Sequence, residues 1–398
     1  MQSETIQFDD TETAFAYRTK EQLKKSHFVF STMNYPWMVR LGVWVTNRAL
    51  RIKLPVRKII KNTLFNQFCG GESIEDCRQT IQLLGEHNVQ TILDYSVEGV
   101  KSEDGYDDAK KEALRVVEFA SRSNHIPFIV LKLSALGSTE LMTKAQNKDR
   151  LTEMEKTKLY YCEQRVIEIV HKVYEKGLMV MLDAEESWFQ NFTDGVAQRL
   201  MEKFNRERPV VFNTYQLYRQ DVLNRLKFSL AKATNGGYYL GAKLVRGAYM
   251  EKERERAERM GYTSPIHETK EAVDEDYDAA LKLCVEHIDR MGLCGGTHNE
   301  TSARYLVALM NESGLSPSDP RIYFAQLLGM SDNISFVLSN KGYNVAKYVP
   351  YGPVEDVLPY LFRRAEENTS IAGQSSREYT LIKKELKRRN TVPKVQTI

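Results

Sequence analysis

Arg363 and Arg364 stand side by side in the segment YGPVEDVLPYLFRRAEENTS, Tyr351 to Ser370. Pro353 near its start and polar Asn368-Thr369 near its end predict a short helix between them. On that helix Tyr360, Arg363, Arg364 and Glu367 share one stripe by i, i+3, i+4 and i+7 spacing. Val354, Val357, Leu358, Leu361 and Ala365 form the neighbouring apolar stripe, which should pack on the body of the domain. Two guanidiniums beside a phenol and a carboxylate suit a small carboxylate ligand, because paired forks hold both of its oxygens. The same two cations would also be at home near a helix C-terminus, where the dipole favours positive charge.

Such a helix needs a framework to aim at. From about Gln90, eight short runs rich in apolar and β-branched residues read as strands: QTILDY, FIVLKLSA, LMVMLDAE, VVFNTYQ, YYLGAKLVR, CGGTHN, IYFAQLL and NVAKYVPY. Amphipathic helical stretches alternate with them. One carries Val166, Ile167, Val170 and Val173 on a single face and stops at Gly177; another stops at Gly314. About eight such units predict an α/β chain folded as a distorted (β/α)8 barrel of the TIM type. The expected division is a helical arm over residues 1–65, the barrel over 66–370 and a basic helix and tail over 371–398. Barrel logic puts chemistry at the C-terminal ends of strands, where Asp94, Lys132, Asp183, Gln216, Lys243, Arg246, His298, Gln326 and Tyr348 fall. A charge inside an apolar strand, such as Lys132, is costly unless paired, so a structural ion pair is the competing reading there.

Composition narrows the classes. The 398 residues are 42% hydrophobic and 27% charged, typical of a globular protein with a sizeable core. Lys+Arg number 56 against Asp+Glu 53, a net charge of +3 that gives no case for nucleic acid as the main partner. Cys69, Cys77, Cys162, Cys284 and Cys294 form no C-x-x-C pair and no metal-ligand spacing, so reduced, buried thiols in a reducing compartment are expected. No apolar run reaches the length of a membrane span. The acidic, polar start MQSETIQFDDTET resembles neither a secretory signal nor a transit peptide, which predicts a mature chain beginning near Met1 in a bacterial cytoplasm. No G-x-G-x-x-G follows a strand, and neither a P-loop nor H-E-x-x-H occurs. The stretch Arg48 to Asn62 is basic and reads as a solvated face of the arm or, alternatively, a membrane contact.

VMLDAEES (Val180 to Ser187), GAKLVRGAYMEKERERA (Gly241 to Ala257), IYFAQLLGM (Ile322 to Met330), LKLSALG (Leu131 to Gly137) and GTHNE (Gly296 to Glu300), with the double-arginine helix, resemble proline dehydrogenase. The likeness runs from about Phe68 to about Ser370 and is strongest to the single-function type found in mitochondria and some bacteria. It implies noncovalent FAD and oxidation of L-proline to Δ1-pyrroline-5-carboxylate, with hydride passed to flavin N5 and electrons passed on to a membrane quinone through a peripheral membrane contact. The chain would then be cytoplasmic, on the inner face of the cell membrane.

Residue by residue, the resemblance makes Arg363 and Arg364 the carboxylate clamp and places Lys132 beside the substrate. Tyr348, Tyr360 and Leu327 become walls for the proline ring. Asp183 becomes an orienting carboxylate coupled to Tyr348, or a proton acceptor. Lys243 stands where relatives often carry Arg near flavin N5, a departure that keeps the charge. Ala184, Gln216, Gln326, Thr297 and His298 would contact the flavin, the last two just before a helix whose N-terminus suits pyrophosphate. Arg246, Gly247 and Ala248 would form a phosphate-contacting turn, and Glu98 a gate pairing with an arginine over the site. The hydroxyproline-oxidising branch resembles this helix but lacks a bulky residue matching Tyr360. That branch remains one alternative. A barrel lyase using Lys132 or Lys243 as a Schiff-base nucleophile is another, and a non-catalytic carboxylate- or flavin-binding protein a third.

Overall fold

A computed structural model describes residues 6–51, 57–96, 99, 101–370 and 374–391. Eight strands form a closed parallel barrel in chain order. They are β1 (Val89–Tyr95), β2 (Phe128–Leu131), β3 (Met179–Leu182), β4 (Val211–Gln216), β5 (Leu240–Val245), β6 (Met291–Gly296), β7 (Ile322–Leu327) and β8 (Val345–Tyr351). All eight runs read from the sequence are strands. β1 closes the ring, pairing Ile92 with Phe128 of β2 on one side and with Tyr348 of β8 on the other. The near-continuous apolar runs follow from burial on both faces. Ile92, Phe128, Met181, Phe212, Cys294, Tyr323 and Tyr348 fill the barrel. Their neighbours Leu93, Ile129, Val180, Leu182 and Val211 point outward into the core shared with the helices. The helix Glu153–Glu175 buries Val166, Val170 and Val173 on the expected face, and all five cysteines are free and buried.

The double-arginine helix starts later than expected. Pro353 accepts bonds from Asp356 N at 2.9 Å and Val357 N at 3.2 Å, a tight turn, and the regular helix runs Leu358–Ser370. Val354, Val357, Leu358, Leu361 and Ala365 are buried as the stripe predicts. What covers them was not visible in the pattern. The helix Lys20–Met33, held at its start by a Thr19–Gln22 capping box, contributes Leu23, Val29, Phe30 and Met33. The C-terminal helix Gln374–Thr391 adds Leu381 and Ile382. That helix is less of a free basic surface than its composition suggests. Glu385, fully buried, takes Arg388 at 2.8 Å and Arg389 at 2.6 Å, and Arg389 also donates to the carbonyls of Phe15 and Arg18, both at 2.7 Å.

Both ends of the chain meet at one corner after β7. Ser331 has φ +50°, an uncommon conformation for a residue other than glycine. Its amide donates to Glu378 of the C-terminal helix. Next to it, Asp332 accepts from Lys347 of β8 at 2.8 Å, Arg18 at 2.9 Å and the Tyr17 hydroxyl at 2.6 Å. Lys347 lies wholly inside an apolar strand, and this pairing makes its charge tolerable.

Burial, with the Asp332 carboxylate adding to it, pushes the Glu378 carboxyl up to about 7. Such an acid still holds its proton after the unfolded chain has released its own. Its contribution is therefore whole below about 4.5, is lost as pH rises toward 7, and stays lost above. Glu378→Gln is neutral throughout and can still accept the Ser331 amide. Its stability relative to the parent should rise by about 3 kcal/mol between pH ~4 and pH ~8. Urea unfolding across that range checks this, and parallel pH curves for the two proteins would refute it.

Candidate active site

Each strand of the barrel delivers a polar side chain to the C-terminal mouth, or to the loop just beyond it. The charged ones arrive in pairs. Lys132, just after β2, lies 2.8 and 2.9 Å from the two carboxylate oxygens of Asp94 on β1. Burial raises the Asp94 pKa, but the Lys132 ammonium and the bonds from Lys132 and Ser96 outweigh it and hold the group below its ordinary value. The competing structural reading of Lys132 therefore has a partner, and Asp94 joins the site. On the next strands Lys243 Nζ lies 2.6 Å from Asp183 Oδ1, and it sits 4.3 Å from the centre of the Tyr348 ring. The Tyr348 hydroxyl reaches the same Asp183 oxygen at 3.4 Å. Burial, reinforced by the Asp183 charge, pushes Tyr348 well above its usual pKa, so it stays a protonated phenol that donates. Asp183, Lys243 and Tyr348, chosen from the sequence as a catalytic group, are one contiguous cluster.

A second cluster lies on β4 to β7. Gln216, at the end of β4, is buried and donates to the Glu185 carbonyl at 3.0 Å. Its Oε1 is buried with no donor among the described residues. Glu185 itself, missed in the sequence, accepts from the Ser134 hydroxyl at 2.5 Å and its amide at 3.1 Å, while burial pushes its carboxyl up to about 7. Arg246 donates to Asp274 at 2.7 Å, Thr297 at 2.8 Å and Ser302 at 3.0 Å, so each of its three guanidinium nitrogens already has a partner. Gly247 has φ +131°, and a Cβ there would come within 2.5 Å of the Tyr218 ring, so the turn it makes with Ala248 requires glycine. Gln326 donates to the Thr297 carbonyl at 3.1 Å and accepts from Ser335 at 2.9 Å. Ala184 follows Asp183 in the loop after β3 and is half-buried.

The helix after Thr297 and His298 is Glu300–Glu312, and it is already capped. Asn299 accepts from the amides of Thr301 at 2.8 Å and Ser302 at 3.3 Å. Those two donors, expected to serve a phosphate, are taken. His298 shares a bond with the Ser331 hydroxyl at 2.9 Å. Burial first, and then the charges of Lys347, Arg364 and Arg246, lower its pKa to about 3, so it is a neutral hydrogen-bonding ring rather than a cation. This bond ties the second cluster to the corner held by the chain ends. A flavin fits this set of groups. Gln216 Oε1 is a buried acceptor for a ring N–H, Lys243 and Arg246 are cations suited to an electron-rich ring and a phosphate, and Gly247 opens the backbone.

The double-arginine helix closes over both clusters. Arg364 is buried, 5.2 Å over the Tyr360 ring, and Tyr360 is buried with it. Arg363 is half-buried and lies 6.0 Å from the ring of Tyr249, just past the Arg246–Ala248 turn. Leu327 packs against the barrel interior and the helix cluster alike. Glu98 lies outside the described residues, as does the side chain of Glu367. Missed from the sequence were Asp94 as a partner, Glu185, Ser331, Asp332 and Lys347. Lys347 carried a usable signal, a lysine in the apolar run NVAKYVPY, the same signal that singled out Lys132. Asp332 and Ser331 carried none, being ordinary residues at a helix start.

The chain matches the family described as proline dehydrogenase over residues 77–377. Proline dehydrogenase 1, mitochondrial, of Caenorhabditis elegans is 35% identical over 401 residues, covering 94% of this chain and 63% of that protein. The human protein of that name is 43% identical over 243 residues, covering 60% of this chain and 40% of its own. This chain thus spans less than two thirds of either mitochondrial relative. The carbapenem antibiotics biosynthesis protein CarD of Pectobacterium carotovorum subsp. carotovorum is 33% identical, covering 81% of this chain and 83% of that one. In fold, the chain is similar to proline utilization A (PutA) from Bdellovibrio bacteriovorus inactivated by N-propargylglycine, with a TM-score of 0.72 at 20% identity over 93% of this chain and 40% of that one. With a match that takes in well over half of its residues, the chain belongs to the proline dehydrogenase family.

Proposed function

We propose that this chain oxidises L-proline to Δ1-pyrroline-5-carboxylate with FAD as cofactor and passes the electrons to a membrane quinone. The observation that carries the reading is one juxtaposition. A buried arginine stacked on a buried tyrosine lies on the helix above a barrel mouth lined by two lysine–aspartate pairs. Arg363 and Arg364 would hold the substrate carboxylate by charge-assisted bonds. Tyr360, Tyr348 and Leu327 would wall the ring, which fixes the carbon to be oxidised. Oxidation needs the ring nitrogen as free amine. Asp183 is the carboxylate in reach to orient that amine or accept its proton, and Lys243 and Tyr348 hold it in place. Tyr348, kept protonated, is excluded as the base.

Bound FAD would supply the two-electron acceptor that these side chains lack. Gln216, Lys243, Arg246, Gly247 and Ala248 would hold it, with Ala184, Thr297, His298 and Gln326 around them. The Lys132–Asp94 pair speaks against a Schiff-base lyase, because a lysine held at 2.8 Å by a carboxylate kept ionised is a charged donor, not a free nucleophile.

The deciding measurement is the visible spectrum of the purified protein before and after anaerobic proline. A flavin spectrum that bleaches is expected; a colourless protein, or a spectrum indifferent to proline, would sink the reading. In the same assay Arg364→Met should keep its flavin and raise the proline KM about ten- to a hundredfold, for a lost charge-assisted contact of about 1.5–3 kcal/mol. Loss of flavin with an unchanged KM would assign Arg364 another task.

Substrate choice follows from Tyr360. Pinned under Arg364, its ring would crowd a 4-hydroxyl and leave that group without a partner. The parent should prefer L-proline to trans-4-hydroxy-L-proline, and Tyr360→Ser should narrow the gap mainly by losing proline affinity. Comparing kcat/KM for both substrates in both proteins tests this, and a parent that takes the two equally well would move the assignment to the hydroxyproline branch.

A further inference from the structure

The loops that follow β3 and β5 meet on one side chain. After β3 come Asp183, Ala184, Glu185 and Glu186, and then the helix Ser187–Phe204. After β5 come Arg246, Gly247, Ala248 and Tyr249, and then the helix Met250–Met260. Glu253, on the first turn of the second helix, has no exposed surface. Its carboxylate oxygens accept from the amide and the hydroxyl of Ser187, the first residue of the other helix, each at 2.6 Å. No lysine or arginine pairs with it among the described residues. A buried carboxylate without a cation is costly, and here the amide, the hydroxyl and the positive end of a helix dipole are its compensation.

A cap for stability alone would not need this arrangement. Glu186, the N-cap residue of the helix Ser187–Phe204, makes no side-chain bond to it, although a short polar residue there would do so from within the same turn. The cap comes instead from 66 residues further on. Around it the two loops meet again nearer the surface, where Lys252 pairs with Glu186 and Arg256 lies 4.5 Å over the Trp188 ring.

Both ends of the join lead back to the site. On one side the Glu253 amide donates to the Tyr249 carbonyl at 2.9 Å, and the Tyr249 ring lies 6.0 Å from Arg363. On the other side Gln190, one turn into the helix Ser187–Phe204, accepts the Glu185 amide at 2.9 Å. Glu185 holds Gln216 through its carbonyl and Ser134 through its carboxyl group, and Asp183 stands two residues before it. The loop from Asp183 to Ser187 is too short to absorb a shift of the helix start without passing it on to Asp183.

We infer that Glu253 is a positioning residue: by holding Ser187 against the helix Met250–Met260 it fixes Asp183 relative to Arg363, and so the substrate amine relative to the substrate carboxylate. The inference rests on the function proposed above. The substrate carboxylate is also held by Arg364, packed on Tyr360 of a separate helix, so loss of the join should slow the chemical step more than it weakens proline binding. A misplacement of about 1 Å is enough to cost about a hundredfold in rate.

The test is anaerobic rapid mixing of flavin-loaded protein with proline, which reads the bleaching rate at saturation and the apparent Kd separately. Glu253→Met keeps the volume and removes both acceptors. It should bleach about tenfold or more slowly per bound flavin, with the Kd changed less than about threefold. Glu253→Gln can still accept the amide and can donate to the hydroxyl oxygen, so it should recover most of the rate. Ser187→Ala removes one of the two bonds and should slow bleaching about threefold. Combined with Glu253→Met it should add nothing, because both changes remove the same contact. A role in stability alone would lower the melting temperature and flavin content of Glu253→Met and leave its rate per bound flavin at the parent value, which would overturn the proposal. Ser187→Ala bleaching at the parent rate would overturn it as well, and needs no folded Glu253→Met to be seen. A parent that does not bleach with proline would overturn the function and this role together, whereas a parent that bleaches and variants that match it would overturn this role alone.

Discussion

Four cations at or beside the mouth of this barrel each meet a carboxylate. Lys132 meets Asp94, Lys243 meets Asp183, Lys347 meets Asp332 and Arg246 meets Asp274. The barrel beneath is filled with Ile92, Phe128, Met181, Phe212 and Tyr323, which offer an ion nothing. A lone ammonium or carboxylate above that layer would carry several kcal/mol of unrecovered solvation. Each pair joins side chains from two strands or the loops just beyond them, or from such a position and a helix, so the pairing also sets distances across the mouth. The Tyr348 phenol illustrates the consequence. Wedged beside the Lys243–Asp183 pair, it cannot ionise, and it becomes a fixed donor and a wall.

The Lys347–Asp332 pair extends this constraint to the ends of the chain. Asp332 also needs Arg18 and Tyr17, which come from the N-terminal arm, and Ser331 beside it needs Glu378 from the C-terminal helix. Ser331 in turn holds His298, whose neutral ring faces the positive groups of the second cluster. The terminal segments are thus part of what positions the mouth. They also cover the apolar stripe of the double-arginine helix, leaving Arg364 and Tyr360 packed together on a rigid support. A helix carrying two adjacent guanidiniums keeps its aim because its back is buried on three sides.

That same construction leaves the helix Pro36–Arg51 with its apolar stripe outward. Its inner edge is used in closing over Leu358 and Leu361, so Trp37 and Trp44 have nowhere inside to go. One face of the arm therefore secures the site, and the opposite face presents tryptophan and arginine to the surroundings.

By itself the sequence determined the eight strands, their order and the residues at their C-terminal ends. Those signals are local: apolar runs of strand length, amphipathic periods and glycine stops such as Gly177 and Gly314 are written within a few neighbours. Asp183, Lys243, Tyr348, Gln216 and Arg246 were legible for the same reason, being polar residues at the ends of apolar runs. Only the tertiary structure decided which charge meets which. The partner of Lys132 lies on another strand, that of Lys347 lies at a helix start, and the further partners of Asp332 lie on the N-terminal arm. It also decided that Asn299 already takes the amides of its helix, and that the Leu358–Ser370 helix begins a turn after Pro353. Pairing, capping and coverage depend on groups distant in the chain, and a periodic pattern holds no record of distance. Ser331, Asp332 and Glu378 show this most plainly: each is unremarkable where it stands in the chain, and each acquires its role from residues brought to it by the closed barrel and the two terminal helices.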